Sequence, residues 1–194
     1  MESLVQLDQQ LSLWVNQLDP PCLHPFWHFL SETKVWFPLY GLVMGLIIWK
    51  LGWKKGLAVV ASLLLLVLCT DQLSVLVKNS VMRLRPCHDP WMIAHGVLCP
   101  DGTDMGPYGF FSSHASNVFG FAVCSWLGLQ WNDSKHRYGL YGGLILGWAA
   151  LVSLSRTMLA AHYLGDILAG SLFGVAMGWG LAWLTRQIIV KAKL

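Results

Sequence analysis

Five stretches of this chain contain no Asp, Glu, Lys or Arg, a pattern that favours membrane-spanning helices. They comprise residues 35–49, 56–70, 115–132, 138–155 and 167–185. A span needs about 20 residues, so the shorter stretches must borrow flanking turns. Core helices of a soluble protein are the alternative, but 194 residues cannot wrap five such helices in a polar shell, and only 12% are charged. The sequence therefore predicts an all-α integral membrane protein with about five transmembrane helices in a bundle.

Basic residues are divided unevenly between the two ends of these predicted spans. During membrane insertion, Lys and Arg are retained on the cytoplasmic side. One set of ends carries eight basic residues: Lys50, Lys54, Lys55, Lys135, Arg137, Arg186, Lys191 and Lys193. The other set carries Lys34, Lys78, Arg83, Arg85 and Arg156, together with nine of the ten acidic residues, all but Asp133. The distribution predicts that the carboxyl terminus lies inside and that the second set of ends faces outside.

Residues 1–33 precede the first predicted span and are interpreted as an interfacial segment. Apolar residues from Leu4 to Leu18 mostly recur at helical spacing among Gln and Asp, which predicts an amphipathic helix lying flat on the outer leaflet. The chain, 1–194, is then one membrane-embedded domain, and residues 86–110 form its sizeable outer loop.

Cys87 and Cys99 bracket that loop, twelve residues apart. In an oxidising compartment they can form a disulfide that stabilises the fold by roughly 3 kcal/mol. Two free cysteines are the alternative. A zinc site is not indicated, because no pair of Cys or His residues has zinc-finger spacing.

Glycines spaced four residues apart occur in three of the predicted spans. Gly170, Gly174 and Gly178 form the longest run, and the pairs Gly41/Gly45 and Gly143/Gly147 follow the same pattern. Small residues at this spacing allow membrane helices to approach closely. We expect all of them to lie at helix contacts.

Ionisable residues gather at the predicted outer ends of spans two to five: Lys78, Arg85, His114, Arg156, His162 and Asp166. Charged groups beside or within a span are costly and indicate function. Lys78 and Arg85 are seven residues apart, about two helical turns, and so share one face. Three cations converging with two imidazoles predict a site for a polyanion, because Arg offers a planar fork that matches phosphate oxygens. The alternative is a basic rim that binds anionic headgroups.

His162 and Asp166 are four residues apart at the start of the fifth predicted span, which puts them on one helical face. The carboxylate can then accept a proton from one ring nitrogen and leave the other facing outward, as in an oriented nucleophile or base. Such a pair alone is weak evidence. Beside Arg156 and the turn 111–114, it indicates phosphoryl transfer, with Ser112 and the N–H groups around Ser113 as donors to phosphate.

Three segments resemble the motifs of the type 2 phosphatidic acid phosphatases, a family of membrane lipid phosphate phosphatases. The family motifs are Lys-x6-Arg-Pro, Pro-Ser-Gly-His and Ser-Arg-x5-His-x3-Asp. Every defining position of the first and third motifs is matched, by Lys78, Arg85, Pro86, Ser155, Arg156, His162 and Asp166. The second motif keeps Ser112 and His114 but has Phe111 in place of Pro and Ser113 in place of Gly.

The resemblance implies a role for each matched residue. His162 attacks phosphorus to form a phosphohistidine, Asp166 holds His162 in place, and His114 protonates the leaving group. Lys78, Arg85 and Arg156, with Ser112 and the N–H of Ser113, hold the equatorial phosphoryl oxygens. Because three fixed cations replace a metal ion in this scheme, no metal and no cofactor are expected.

The resemblance to small bacterial members implies an inner-membrane enzyme whose site faces the periplasm. Its expected reaction is hydrolysis of a lipid phosphate or diphosphate, with undecaprenyl diphosphate slightly favoured. Alternatives are a phosphatidylglycerophosphate or lipid A phosphatase and a lipid phosphotransferase, which the sequence does not separate from a hydrolase. A non-enzymatic lipid-binding membrane protein has no need of two histidines and a carboxylate together.

The expected partners are the lipid phosphate substrate and membrane lipids. Nucleic acid is not expected, because the net charge of +3 is small and scattered. The oligomeric state is left open.

Overall fold

The computed structural model describes residues 2–20, 22–99 and 105–194. Positions 100–104 of the predicted outer loop lie outside the described residues, as do Met1 and Pro21 of the predicted interfacial segment. Within the described ranges the chain forms eight α-helices and two short 3₁₀-helices, Thr33–Trp36 and Pro86–His88. The α-helices are α1 (Glu2–Gln17), α2 (His24–Ser31), α3 (Phe37–Leu51), α4 (Trp53–Val81), α5 (Pro90–Ala94), α6 (Ser113–Asn132), α7 (Gly139–Met158) and α8 (Leu164–Lys191).

The five stretches that lack charged residues fall almost entirely in five of these helices, α3, α4, α6, α7 and α8, and the all-helical prediction is confirmed. By length and composition, three helical segments of the described chain can cross a membrane: Thr33–Leu51, Trp53–Val81 and Leu164–Lys191. The helices α6 and α7 have 20 residues each but a more mixed composition. In α6 the reason is its position, because its Ser and Gly residues face other helices rather than the outside of the bundle.

The helix α6 lies at the centre of the bundle and packs against α3, α4, α7 and α8. Its buried side chains include Val118, Phe121 and Leu129, which join the apolar core. Large apolar side chains of the outer helices point away from this core, and Leu140, Leu168 and Leu172 are each more than half exposed. An apolar exterior around a packed core is the arrangement expected of helices in lipid.

The run of glycines in α8 lets its backbone touch the backbone of α6. A Cβ atom at Gly170, Gly174 or Gly178 would lie 2.4, 2.3 or 2.5 Å from a carbonyl oxygen of α6 or its cap. The expected close contact is therefore confirmed for these three glycines. It is wrong for Gly41, Gly45, Gly143 and Gly147, where a Cβ atom would meet open space, because four-residue spacing does not reveal which helix face is covered.

The predicted amphipathic helix is present as α1, but its polar face is docked on the protein. The hydroxyl of Ser12 accepts a hydrogen bond from the N–H of Leu164 (2.8 Å), and Asp8 Oδ1 accepts one from the N–H of Gly165 (2.8 Å). These two N–H groups belong to the first turn of α8, which has no intrahelical partner for them. The apolar face stays exposed, with Leu4, Leu7, Leu11, Trp14 and Leu18 on it.

The two ends of the outer loop are tied together. The N–H of Arg85 donates to the carbonyl of Pro107 (2.9 Å), and the N–H of Gly109 donates to the carbonyl of Arg83 (2.9 Å). Cys87 and Cys99 are joined by a disulfide, with Cα atoms 5.8 Å apart. The end of α4 is thereby held beside the residues that lead into α6.

We predict that reduction of this disulfide lowers the melting temperature of the purified protein, because the unfolded chain regains the entropy of an open loop. The expected loss is about 3 kcal/mol of unfolding free energy. Cys99→Ser should reproduce the effect, while Cys22→Ser, at an exposed free cysteine, should not. Equal melting temperatures with and without reductant would contradict the prediction.

Candidate active site

The linker between α7 and α8 carries His162 and folds back on the end of α7. The carbonyl of Arg156 accepts hydrogen bonds from the N–H groups of Ala161 (2.8 Å) and His162 (3.2 Å). Ala160 makes the turn with a left-handed φ of 49°. His162 therefore precedes α8 rather than lying on it, so the prediction that His162 and Asp166 share one helical face is wrong. The capped turn, not helical spacing, brings the imidazole to its position.

Asp166 lies in the first turn of α8, and its carboxylate faces the imidazole of His162. Its Oδ2 is 3.6 Å from His162 Nδ1, and it accepts a hydrogen bond from the N–H of Tyr163 (3.1 Å). Both side chains are almost completely buried, at 1% and 0% exposure. The backbone of Gly109 packs against the pair, where a Cβ atom would lie 3.1 Å from Asp166 Oδ2 and 3.5 Å from His162 Nδ1.

The other ring nitrogen of His162 faces the predicted phosphate-binding cations. Arg85 Nη1 lies 3.3 Å from His162 Nε2 and donates to the carbonyl of Ala161 (3.0 Å). Its Nε donates to the carbonyl of Gly106 (2.7 Å), which fixes the guanidinium plane. Lys78 Nζ donates to Ser113 Oγ (3.0 Å), and Arg156 Nη1 donates to Ser31 Oγ.

The two serines of the second motif have different environments. Ser112 is fully buried as the N-cap of α6: its Oγ accepts from the N–H of Ala115 (3.3 Å), and its own N–H donates to the carbonyl of Asp166 (3.1 Å). The hydroxyl that meets a predicted cation is that of Ser113. Ser112 therefore fixes the start of α6 against the start of α8, while Ser113 points toward Lys78.

His114, in the first turn of α6, lies between two cavities. A cleft of about 750 Å³ runs between α3, α4 and α6 and reaches Ser113 and His114 at one end. A smaller pocket of about 270 Å³ lies on the other side, between the end of α2, Met105 and Arg156. Thr33 lines both cavities, and its Oγ1 is 3.3 Å from His114 Nε2.

Burial, followed by the charges of Arg156, Arg85 and Lys78, holds the pKa of His162 well below its ordinary value of 6.5. The imidazole is therefore neutral at pH 7, as a nucleophile must be. Among the described residues no three His, Cys, Asp or Glu side chains come together as metal ligands. The positive charges that act on His162 include those of Arg156, Arg85 and Lys78.

Sequence reasoning missed Arg83, which connects Asp166 to α1. Its Nη1 donates to Asp166 Oδ1 (2.7 Å) and its Nη2 donates to Asp8 Oδ2 (2.7 Å). Burial opposes the charge, but Asp166 and Asp8 outweigh it, so the pKa of Arg83 is raised. The guanidinium lies over the ring of Tyr163, 4.0 Å from its centre. Arg83 lies between Lys78 and Arg85 of the first motif, so its position in the sequence suggests a place near the site. Nothing in the sequence around Asp8 indicates its contact with Arg83.

Comparison with known protein families identifies the family to which these motifs belong. Residues 55–189 match the PAP2 superfamily, and this range contains all three motifs. The chain belongs to the PAP2 superfamily. It is a lipid phosphatase and an integral membrane protein of that superfamily.

Two curated relatives align with most or all of this chain. A lipid A 4'-phosphatase of Bacteroides thetaiotaomicron is 28% identical over 201 aligned residues, which cover 100% of this chain and 83% of the relative. A lipid A 4'-phosphatase of Porphyromonas gingivalis is 30% identical over 179 residues, which cover 92% of this chain and 72% of the relative.

A crystal structure supports the fold. The PAP2-type phosphatidylglycerolphosphate phosphatase of Bacillus subtilis superposes with a TM-score of 0.75 at 18% sequence identity. The match covers 97% of this chain and 89% of the bacterial phosphatase. The helix arrangement described above is therefore that of a transmembrane PAP2 phosphatase.

Replacement of Arg83 by Gln is predicted to lower kcat by about 10- to 100-fold with little change in KM, because the carboxylate of Asp166, beside the predicted nucleophile His162, loses its clamp. Arg83→Lys should recover part of the activity. Gln17→Ala removes hydrogen bonds from α1 to the carbonyls of His95 and Gly96 and is the matched control. Steady-state kinetics decide the point; equal kcat values for Arg83→Gln and Gln17→Ala would contradict it.

With His162 in its predicted role as nucleophile, its depressed pKa puts the acid limb of the kcat/KM profile well below pH 6.5, because protonation stops attack only when the pH falls through the lowered pKa. Arg85→Gln removes one of the depressing charges and should move that limb to higher pH. A limb at or above pH 6.5 in the unaltered enzyme would be inconsistent with a neutral, cation-surrounded His162.

Proposed function

We propose that this protein is a metal-independent lipid A phosphatase that acts through a phosphohistidine at His162. The observation that carries the mechanism is the placement of His162: Nε2 faces Arg85 Nη1 at 3.3 Å, and Nδ1 faces Asp166 Oδ2 at 3.6 Å. The nitrogen that attacks thus points to the phosphate-binding side, while the other nitrogen faces the carboxylate that orients the ring. The two lipid A 4'-phosphatase relatives support the choice of substrate.

The proposed reaction has two halves. In the first, His162 Nε2 forms a bond to phosphorus, the bond from phosphorus to the lipid oxygen breaks, and His114 gives a proton to that oxygen. In the second, His114 takes a proton from water, the water oxygen attacks phosphorus, and the P–N bond breaks to release inorganic phosphate. Lys78, Arg85 and Arg156 stabilise the charge on the phosphoryl oxygens in both halves.

These three cations supply the charge stabilisation that a metal ion supplies in many phosphatases. Of the two serines predicted to hold phosphate, Ser113 suits that role better than Ser112. The hydroxyl of Ser113 lies beside Lys78 Nζ, whereas the hydroxyl of Ser112 caps α6.

The cleft between α3, α4 and α6 is the proposed place for the acyl chains. It is lined mainly by apolar side chains such as Phe37, Met44 and Leu64, and it ends at His114. A lipid lying in it presents its phosphate to the buried cations without leaving the hydrocarbon region. The sequence slightly favoured undecaprenyl diphosphate as the substrate. The two relatives instead favour the lipid A alternative.

In the proposed membrane arrangement, α3, α4, α6, α7 and α8 all span the bilayer. The cation-rich ends face the periplasm, and α1 lies at the outer surface. The exposed apolar face of α1 supports this arrangement, since residues such as Leu7 and Trp14 then face lipid while Ser12 and Asp8 face protein.

His162→Ala is predicted to abolish phosphate release, whereas Asp166→Asn leaves a small residual rate. Removal of the nucleophile eliminates the covalent route, and removal of the carboxylate chiefly misplaces the ring. Acid-labile phosphoenzyme should be trapped from Asp166→Asn and not from His162→Ala. Near-normal turnover by His162→Ala would refute the mechanism.

A panel of lipid phosphates tests the substrate. Phosphate release by the purified protein is measured with lipid A, phosphatidylglycerophosphate, phosphatidic acid and undecaprenyl diphosphate, each in EDTA and in magnesium. We expect the highest kcat/KM with lipid A and equal rates in both buffers. A higher value for another lipid would replace the proposed substrate, and activity that depends on magnesium would overturn the three-cation scheme. An added acceptor lipid that takes up the phosphoryl group would identify a phosphotransferase.

A further inference from the structure

A carboxylate lies inside the cleft assigned to the lipid chains, where the reaction does not use it. Asp71 is part of α4, seven residues before Lys78, or about 10 Å deeper along the helix axis. It lines the cleft together with Gln72 and Asn117, among otherwise mostly apolar side chains. The side chain of Asp71 is exposed to the cleft, at the predicted outer end of the second span. A charged group beside or within a span is costly and indicates a function.

A fixed hydrogen-bond chain orients this carboxylate. Thr70 Oγ1 donates to Asn117 Oδ1, and Asn117 Nδ2 donates to Asp71 Oδ1 (2.9 Å). Because a carboxylate only accepts hydrogen bonds, it fixes which way the Asn117 amide points. Thr70 is itself fully buried, so the chain is anchored in the core. Among the side chains that the structure describes, none donates to Asp71 Oδ2.

We infer that Asp71 and Asn117 form a subsite for a hydrogen-bond donor on the substrate, an amide N–H or a hydroxyl carried near the phosphate by an N-acylated or hydroxylated lipid. The inference rests on the proposed function in one respect: it takes the cleft to be the place where the lipid enters. Asp71 Oδ1 already accepts from Asn117, so it is Oδ2 that offers an acceptor to a ligand in the cleft, and hydrogen bonds to a charged group are among the stronger ones.

This subsite separates lipid classes by chemistry. Amide-linked and hydroxylated acyl chains offer a donor below the phosphate, whereas an ester-linked diacyl lipid or a polyprenyl chain offers none at that depth. A lipid without a donor leaves the second oxygen of the carboxylate, Asp71 Oδ2, facing an apolar chain, which costs affinity. Asp71 therefore favours N-acylated lipid phosphates over ester-linked ones.

Ceramide 1-phosphate and phosphatidic acid are matched probes, because each has two chains and one phosphate but only the first has an amide N–H and a hydroxyl. Their dissociation constants are measured on the full-length protein in detergent micelles, in the His162→Ala background so that no turnover occurs. The same measurement is made after adding Asp71→Leu, Asp71→Asn or Ser80→Ala. Ser80 is the matched control, since it lies on α4, outside the cleft, and bonds only to its own helix at Leu76.

We expect ceramide 1-phosphate to bind about tenfold more tightly than phosphatidic acid, and this preference to vanish in Asp71→Leu and shrink in Asp71→Asn. Ser80→Ala should retain it. Asp71→Leu should melt at the same temperature as its parent or higher, because a carboxylate facing an apolar cleft is a cost when no ligand is bound. A lower melting temperature with the preference intact would assign Asp71 a structural role and overturn the inference.

Equal binding of the two probes by the parent protein, or a preference that persists in Asp71→Leu, would also overturn it. Failure of the proposed function shows itself separately, as absence of phosphate release by the enzyme with an intact His162. The binding measurement does not depend on turnover, so the two results are distinguishable.

Discussion

The contact between the backbones of α6 and α8 is the constraint on which the rest of the site depends. Gly170 lies against the carbonyl of Ser112, and the N–H of Ser112 donates to the carbonyl of Asp166 (3.1 Å). The second and third motifs thereby meet at one point without any side chain between the helices. Further into the bundle, Gly174 and Gly178 keep the same spacing, so the two helices cannot shift without steric overlap.

Positive charge in the site is divided between two tasks. Among the described residues, neither Arg85 nor Lys78 forms an ion pair with a carboxylate, whereas Arg83 is paired with Asp166 and Asp8 on either side. A guanidinium held between two carboxylates contributes little net attraction for phosphate, but it orients both partners. Arg85 thus faces one ring nitrogen of His162, Nε2, and Asp166 faces the other, Nδ1.

The features that the sequence predicted correctly depend on residues close together in the chain. Runs without charge identified the long helices, and the motif spacing identified residues that the fold gathers around His162. Three features depend on long-range or turn geometry and were not predicted. The linker position of His162 arises from the turn at Ala160, and the role of Arg83 depends on Asp8 from a distant helix. Periodicity indicated that α1 is amphipathic, but it did not show that the polar face of α1 contacts protein. Glycine spacing alone was equally ambiguous, since it is meaningful only on a covered helix face.

The docked polar face of α1 ties the membrane surface to the chemistry. Ser12 and Asp8 supply the N-terminal hydrogen bonds of α8, and Asp8 also holds Arg83, so the first turn of α8 is capped and the carboxylate of Asp166 is clamped from the same helix. Since the opposite face of α1 is apolar, contact with lipid favours the docked position of that helix. On the other side of the site lies the cleft that ends at His114, the proposed place for the acyl chains. In the proposed function the bilayer therefore acts on both sides of His162: it stabilises the helix that holds the carboxylate of Asp166, and it supplies the lipid that carries the phosphate.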